Sequence, residues 1–285
     1  MSKLKIAVQK SGRLNESSLK LLKDCGFNVN NGNDQLKVSV ENFPIELLYL
    51  RNSDIPQYVE DGTADIGIIG ENLLIEQKKN ITILLKLGFA KCRVSLAVPK
   101  AIDTNELSYF EGKKIATSYP ATLKTFLNEN KINAEIHAIA GSVEIAPNIG
   151  LADGICDIVS SGNTLFKNGL RETKVILKSE AVLVQSHKVN SDKKALIDQV
   201  LFRIQAVLRA RRNKYILLNV PNEKIEAVAE ILPVLESPTV LPLAKKGWSS
   251  LHSVIKEKEF WQVIDALKMA GAKDLLIVPI DKMVY

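Results

Sequence analysis

The sequence predicts an α/β protein made of a two-lobed region and a smaller C-terminal domain. Short apolar, β-branched segments alternate with helical segments up to residue 213, which is typical of βα units with parallel strands. The apolar segments 92–98 and 180–184 are predicted strands that leave the first lobe and return to it. From Lys214 the predicted order is βαββαβ, the ferredoxin-like arrangement.

These signals divide the chain into three parts. Residues 1–90 and 179–213 form the first lobe, residues 91–178 the second lobe, and residues 214–285 the C-terminal domain. With 285 residues, of which 46% are hydrophobic and 25% charged, the chain can bury several cores. Because ligands bind at the carboxyl ends of strands in such sheets, functional residues are expected in the loops after strands.

Composition narrows the classes of partner. The formal net charge is +6 and the basic residues are scattered, so small phosphorylated ligands account for the excess and no nucleic-acid partner is expected. No apolar stretch reaches the roughly eighteen residues of a membrane span, and the N-terminus runs into a strand. We therefore expect no membrane association and a cytoplasmic location. Cys25, Cys92 and Cys156 are odd in number and far apart, which argues against a disulfide framework or a zinc site.

The first lobe is predicted from strands that end in polar or basic loops. The loop at residues 10–14 is basic and contains Gly12. The alternative interpretation is that this loop only connects a strand to a helix. In order, the predicted elements are a strand at 4–9, a helix that Asn15 caps, a strand at 44–50, a helix capped by Ser53 or Asp54, and a buried strand at 65–70 followed by a helix.

The second lobe continues the alternation. Hydroxyls at residues 118–122 precede a helix, which predicts a second helix end able to hold an anion. The predicted elements are strands at 92–98, 114–117 and 134–138, a helix at 121–128, a helix at 144–152 and a short strand around Asp157. A helix at 191–212 then precedes the C-terminal domain. Its predicted strands lie at 215–220, 239–243, 249–255 and 274–279, and its helices at 223–232 and 258–270.

The segment 144–165 is the most informative part of the chain. Asp157 lies in a buried β-branched strand, and hydroxyl residues and Gly162 follow at once, with a helix opening at Thr164. Hydroxyls, an unhindered backbone and a helix N-terminus together suit a phosphate, so we name residues 160–164 the phosphate loop. Asp157 would hold ribose hydroxyls or a hydrated Mg²⁺. The alternative is an ordinary turn after a buried strand.

This segment resembles the signature of the ATP phosphoribosyltransferase family without a mismatch. The matching positions are Glu144, Gly150, Ala152, Ile155, Asp157, Ile158, Ser161, Gly162, Thr164 and Leu165. The resemblance implies that the segment binds phosphoribosyl pyrophosphate through its 5′-phosphate and ribose. The implied contacts are Asp157, Ser160, Ser161, Gly162, Asn163, Thr164 and Leu165.

The resemblance covers nearly the whole chain. The segment 64–72, ADIGIIGEN, is similar both to this family and to two-lobed solute-binding proteins, which implies periplasmic-binding-protein-like lobes. The loop after the first strand is also typical of the family. The implied nucleotide-binding residues are Lys10, Gly12, Arg13, Arg51 and Glu71. In the C-terminal domain, residues 236–239 and 271–273 resemble the long form of the enzyme, which implies an ACT-like regulatory domain that binds histidine near Thr239 and Ala272.

The family reaction follows from the resemblance. It transfers the phosphoribosyl group to N1 of ATP with release of pyrophosphate, as the first, histidine-inhibited step of histidine biosynthesis. The expected catalytic residues are Lys10, Arg13, Glu144 and Asp157, which act by position and charge together with Mg²⁺. The substrate is expected to bring the Mg²⁺, and Asp157 is the candidate protein ligand. The resemblance also implies a homo-oligomer, as a dimer and a hexamer.

Two alternatives from other classes remain at this point. A prephenate dehydratase also combines two lobes with a small amino-acid-sensing domain, but its Thr-Arg-Phe run is absent from this sequence. A non-catalytic solute receptor would use the same lobes, but an exported receptor needs a signal peptide. Turnover separates an enzyme from such a receptor.

Overall fold

The computed structural model describes residues 3–29, 35–232 and 237–284. The chain folds as two compact units. One combines Met1–Lys20 with Phe27–Leu196, and the other combines Leu21–Gly26 with Ile197–Tyr285. The sequence places a boundary at residue 213, and the assignment of residues 197–213 to the first lobe stays a prediction.

Among its described residues, the first lobe begins with five strands and three helices. They are β1 (Leu4–Gln9), α1 (Arg13–Asp24), β2 (Lys37–Ser39), β3 (Ile45–Leu50), α2 (Ile55–Glu60), β4 (Ile66–Gly70), α3 (Glu71–Gln77) and β5 (Thr82–Lys86). β1 lies between β3 and β4 and is parallel to both, because the helices between these strands bring the chain back to the same edge. Ile55 and Val59 of α2 pack against this sheet and are fully buried.

The second lobe contains the next five strands and two helices. They are β6 (Cys92–Pro99), β7 (Lys114–Thr117), α4 (Pro120–Glu129), β8 (Glu135–Ala138), β9 (Gly154–Val159), α5 (Asn163–Lys167) and β10 (Leu170–Ser179). The sheet order is β10-β6-β9-β7-β8. β9 is parallel to β7 and antiparallel to β6, so the loops after β7 and β9 leave the sheet at the same edge.

The chain returns to the first lobe through β11 (Ala181–Gln185), which completes the sheet β2-β3-β1-β4-β11-β5. The predicted crossings at 92–98 and 180–184 are therefore present as β6 and β11. The prediction of parallel sheets was wrong in part, because β11 is antiparallel to both β4 and β5. A strand that re-enters a sheet from another lobe has no helical crossover to turn it parallel.

Helix α6 (Ser191–Arg212) leads into the second unit. There β12 (Asn213–Pro221), α7 (Ile225–Ile231), β13 (Thr239–Pro242), β14 (Trp248–Lys256), α8 (Phe260–Met269) and β15 (Lys273–Pro279) follow in the predicted βαββαβ order. All pairings in the sheet β13-β14-β12-β15 are antiparallel. Alternate residues of β12 and β14 pack with both helices in one core, formed by Ile216, Leu218, Val220, Val228, Leu251, Ile255 and Leu267.

Two local predictions were wrong. The helix expected at 144–152 is a single 3-10 turn, Val143–Ile145, followed by turns, because Pro147 lacks an N–H and Gly150 has a φ of 71°. Asn15 does not cap α1, which begins two residues earlier. Its side chain instead donates a hydrogen bond to the carbonyl of Gln9, and Gly12 occupies the cap position.

No helix among the described residues combines the length and the apolar character that crossing a bilayer requires.

Candidate active site

The first-lobe edge is formed by residues that follow three neighbouring parallel strands. Gln9 of β1 is in register with Leu50 of β3, and the Lys10 N–H donates to the Leu50 carbonyl at 2.8 Å. Lys10 and Arg51 therefore leave the sheet side by side. Both are exposed, so the edge presents two cations to solvent.

Arg13 joins this edge because Gly12 turns the chain. Gly12 has a φ of 88°, a left-handed conformation that is strained for residues with a Cβ. α1 begins immediately afterwards, and Arg13 is exposed in its first turn. The predicted nucleotide residues Lys10, Gly12, Arg13 and Arg51 thus share one end of the sheet.

Glu71, the fifth predicted nucleotide residue, follows β4 and opens α3. Its carboxylate forms an ion pair with Lys86 at 2.9 Å. The hydrogen bond and charge of Glu71 raise the pKa of Lys86. Glu71 is therefore paired with a lysine of the same chain, which the sequence did not indicate.

The phosphate loop follows β9 in the second lobe. Gly162 has a φ of 83°, and no heavy atom lies within 4 Å of the position that a Cβ would take. The conformation, rather than crowding within the protein, requires glycine here, and open space lies above the loop. The helix opens at Asn163, one residue before the predicted start, and is only five residues long.

The predicted loop residues divide into exposed and buried members. Ser160, Ser161, Asn163 and Thr164 are exposed. The Leu165 side chain is 7% exposed and packs in the core of the second lobe. Leu165 is thus able to contact a ligand only through its backbone.

Asp157 and Glu144 form the acidic side of the site. Burial raises the pKa of the Asp157 carboxyl to about 6, the backbone N–H of Ile158 opposes this rise, and the negative charge of Glu144 adds to it. Tyr119 lies near the same carboxylate. Burial, followed by the charge of Asp157, raises the pKa of Tyr119 to about 12, so its hydroxyl stays protonated.

The two lobes meet at a pocket that the sequence did not predict. This hinge pocket has a volume of about 400 Å³. It is lined by Glu71, Lys86, Lys91, Cys92, Arg93, Ser160, Lys178, Ser179 and Glu180. Four basic and two acidic side chains leave it net positive. Ser160 links it to the phosphate loop, and Glu71 links it to the first-lobe edge.

Arg93 holds one wall of the hinge pocket in place. Its guanidinium donates to both carboxylate oxygens of Glu172, and Ser95 donates to the same carboxylate at 2.6 Å. Arg93 also donates to the carbonyl of Ser160 at 3.1 Å. A bidentate pair of this kind is rigid, so the start of the phosphate loop is fixed from β6.

The helix end at residues 118–122 does hold an anion, but the anion belongs to the protein. The carboxylate of Glu76 accepts hydrogen bonds from the N–H groups of Ala121 and Thr122. The end of α4 is therefore filled from the first lobe.

Thr239 and Ala272 lie far apart within one chain. Thr239 is on β13 and Ala272 directly precedes β15, and these strands form opposite edges of a four-stranded sheet. With roughly 4.8 Å between neighbouring strands, one amino acid does not span the two edges of one domain.

The carboxylates of Asp157 and Glu144 are the candidate contacts for a metal ion at this site. No group of three or more His, Cys, Asp or Glu side chains able to hold an ion occurs in the part of the chain that the structure describes. Asp157 and Glu144 repel each other, and a cation near them would relieve this repulsion. Two carboxylates with substrate oxygens and water suit Mg²⁺, which keeps several waters.

The chain matches known proteins along nearly its whole length. The profile of the ATP phosphoribosyltransferase family matches residues 51–206, and that of its C-terminal domain matches residues 210–282. The ATP phosphoribosyltransferase of Cytophaga hutchinsonii is 54% identical over 99% of this chain and 98% of its own length. That of Phocaeicola vulgatus is 50% identical over 99% of each chain.

Solved structures give the same result for the lobes. A chain of the ATP phosphoribosyl transferase (HisG:HisZ) complex from Thermotoga maritima is 29% identical, covers 72% of this chain and 98% of its own, and has a TM-score of 0.62. The periplasmic sulfonate-binding protein SsuA from Methylobacillus flagellatus KT has a TM-score of 0.50 at 13% identity, over 72% of this chain and 67% of its own, and shares the fold alone. Neither a prephenate dehydratase nor a solute receptor accounts for the full-length matches. The chain belongs to the ATP phosphoribosyltransferase family.

Proposed function

We propose that this chain transfers the 5-phosphoribosyl group from phosphoribosyl pyrophosphate to N1 of ATP in the cleft between its two lobes. The observation that supports this most directly is the hinge pocket, which is lined both by Ser160 of the phosphate loop and by Glu71, the residue of the first-lobe edge that follows β4. Two phosphorylated substrates need two anion sites that open into one space. The reaction begins histidine biosynthesis.

The second lobe is proposed to hold phosphoribosyl pyrophosphate. The exposed hydroxyls of Ser160, Ser161 and Thr164 and the backbone of Gly162 and Asn163 would surround the 5′-phosphate. The carboxylates of Asp157 and Glu144 would accept hydrogen bonds from the ribose hydroxyls. They also place negative charge beside a sugar that becomes positive in the transition state.

We assign the leaving pyrophosphate to the hinge pocket. Ser160 lines this pocket, so it is continuous with the proposed 5′-phosphate site, and Lys91 and Lys178 bring positive charge to its rim. The first-lobe edge, with Lys10, Arg13 and Arg51, then receives the triphosphate of ATP. This places both polyphosphates near cations while N1 approaches the anomeric carbon.

The reaction needs no covalent intermediate on the protein. N1 of the adenine attacks C1 of the ribose as the bond from C1 to the pyrophosphate oxygen breaks, so positioning and electrostatics supply the catalysis. A bound Mg²⁺ would neutralise part of the negative charge that grows on the pyrophosphate. Asp157 and Glu144, with the substrate diphosphate, are the groups that would hold it.

Histidine is proposed to inhibit from the C-terminal domain. Because Thr239 and Ala272 lie on opposite edges of one sheet, one histidine would touch both only where the domains of two copies meet. A homo-oligomer is therefore part of the proposal, and the dimer and hexamer expected from the sequence are compatible with it. A cytoplasmic location, where ATP and phosphoribosyl pyrophosphate are available, completes it.

Pyrophosphate release tests the proposal. The purified full-length protein should release pyrophosphate when both ATP and phosphoribosyl pyrophosphate are present with Mg²⁺, and not when either is omitted. Binding of both substrates without release would show a receptor rather than an enzyme.

A further inference from the structure

Helix α3 of the first lobe touches the second lobe through two side chains on one face. Asn72 and Glu76 are four residues apart, so they point in the same direction from the helix. Glu71 immediately precedes them and lines the hinge pocket. Helix α3 thus borders the proposed pyrophosphate site through Glu71.

Glu76 caps a helix that belongs to the other lobe. One carboxylate oxygen accepts the Ala121 N–H at 2.8 Å. The other accepts the Thr122 N–H at 2.8 Å and the Thr122 hydroxyl at 2.7 Å. N–H groups in the first turn of α4 lack partners within that helix, and the helix dipole favours a negative charge there. α4 also has no side-chain cap of its own at Tyr119.

Asn72 makes the second connection and is almost completely buried. Its amide N–H₂ donates to the Tyr119 hydroxyl at 2.9 Å. Its side-chain oxygen accepts a hydrogen bond from the Ser179 hydroxyl at 2.9 Å. The backbone N–H of Asn72 donates to the hydroxyl oxygen of Ser179. Asn72 therefore ties α3 both to the residue before α4 and to the last residue of β10.

The backbone before α3 is adapted to this arrangement. A Cβ on Gly70 would lie 2.4 Å from the Asn72 side-chain oxygen, a separation that real Cβ atoms do not show. Only glycine at this position lets Asn72 keep its three hydrogen bonds to Tyr119 and Ser179. Tyr119, which Asn72 holds, is also within the electrostatic influence of Asp157.

We propose that Glu76 and Asn72 are positioning residues, which fix the angle between the lobes so that the two substrates meet in line. This inference rests on the proposed function, since it assumes that each lobe carries one substrate. Reactions between two bound molecules are sensitive to placement, and a displacement of about 1 Å can lower the rate by on the order of 100-fold. Neither residue touches substrate in this scheme.

Substitution of Glu76 by Gln provides the main test. The amide nitrogen of Gln is a donor and would face N–H donors of α4, so E76Q removes the negative charge and one of the two acceptor oxygens while the size is kept. In the full-length protein, E76Q should lower kcat about tenfold or more. The affinity for phosphoribosyl pyrophosphate, measured by calorimetry, should change less than about twofold, because its contacts lie within the second lobe. E129Q, an exposed change at the other end of α4, is the matched control.

Hydrogen exchange supplies a readout that does not need activity. The amides of Ala121 and Thr122 should exchange faster in E76Q than in the wild type and in E129Q. An inactive wild type would contradict the proposed function. The exchange measurement would still show whether Glu76 caps α4, so the two failures are distinguishable. T122V, which removes one donor only, tests the same contact if E76Q does not fold, and should show a smaller fall in kcat.

The double variant E76Q/T122V should be no slower than E76Q alone, since both changes break one contact. Unchanged exchange at residues 121 and 122, or faster exchange with an unchanged kcat, would overturn the proposal. A weaker affinity for phosphoribosyl pyrophosphate that accounts for the whole loss would also overturn it, because α3 would then support the phosphate loop rather than the lobe angle.

Discussion

The carboxylates of Glu144 and Asp157 act on each other across the site. Burial and then the charge of Glu144 raise the pKa of Asp157 to about 6. A group that titrates so close to neutral pH makes both activity and stability depend on pH.

Glu144→Gln should move the acid limb of the pH profile. If Asp157 must be ionised to bind ribose, kcat/KM for phosphoribosyl pyrophosphate falls as pH drops through about 6 in the wild type. Removing the charge of Glu144 lowers the pKa of Asp157, so the limb should move to lower pH. Glu129→Gln should leave it in place. An unchanged acid limb in Glu144→Gln would show that the charge of Glu144 does not affect the titration of Asp157.

The same shift predicts a pH dependence of stability. The Asp157 carboxyl titrates at about 6 in the folded chain against a reference value of 3.8, so the folded state binds more protons between these values. The free energy of unfolding should therefore fall as pH rises from about 4 to about 6. Asp157→Asn should remove this part of the slope, and Asp198→Asn, on the exposed side of α6, should not. Urea unfolding across this range measures it.

Gly162→Ala should weaken binding of phosphoribosyl pyrophosphate by about 1.4 kcal/mol, or roughly tenfold. The methyl group meets no protein atom, but it disfavours the φ of 83° and enters the space above the loop. Gly169→Ala is a matched control, because Gly169 also has a positive φ, of 67°, and open space around it. Calorimetry that shows equal losses for both variants would assign the effect to backbone strain rather than to the phosphate.

Arg13→Ala should lower kcat about 100-fold while the free energy of unfolding changes by less than about 0.5 kcal/mol. Arg13 is exposed, so its removal leaves the core intact. Lys20→Ala, exposed on the same helix, should affect neither quantity. Wild-type kcat and KM in Arg13→Ala would exclude the first-lobe edge from the active site.

Lys193→Met should destabilise the protein by about 3 kcal/mol, because it leaves a buried carboxylate without its cation. Lys193 contacts Asp65 at 2.7 Å, and the Asp65 side chain is only 7% exposed. Lys194→Met, an exposed neighbour, is the control. Equal unfolding midpoints for the two variants would show that the ion pair between Lys193 and Asp65 does not stabilise the folded protein.

Much of the site was predictable because its determinants are local. Asp157 and the hydroxyls after it form one continuous segment, and the basic loop after β1 forms another, so period and composition within each segment identified them. The hinge pocket was missed because Lys86, Lys91 and Lys178 come from three different strand ends. No local pattern shows that they meet.

The partner of α4 was unpredictable for the same reason. Residues 118–122 predicted a helix end that holds an anion, but the ligand is Glu76, 45 residues before Ala121. The strand β10 was also missed, since its residues Arg171 to Lys178 mix charged and apolar side chains on an edge of the sheet. Such strands form because a neighbouring strand offers hydrogen bonds, which sequence alone does not show.

The way the chain enters and leaves the second lobe sets how that lobe is able to move. β6 and β10 are antiparallel neighbours, and Cys92 at the start of one is in register with Ser179 at the end of the other. Two strands joined by hydrogen bonds bend and twist together but do not slide past each other, so this ribbon prevents sliding of the second lobe and leaves its rotation to be held by the contacts of Glu76 and Asn72. Because the ends of the second lobe lie roughly 5 Å apart, this lobe is also a domain inserted into the first. Its geometry is suited to insertion into another protein or to circular permutation.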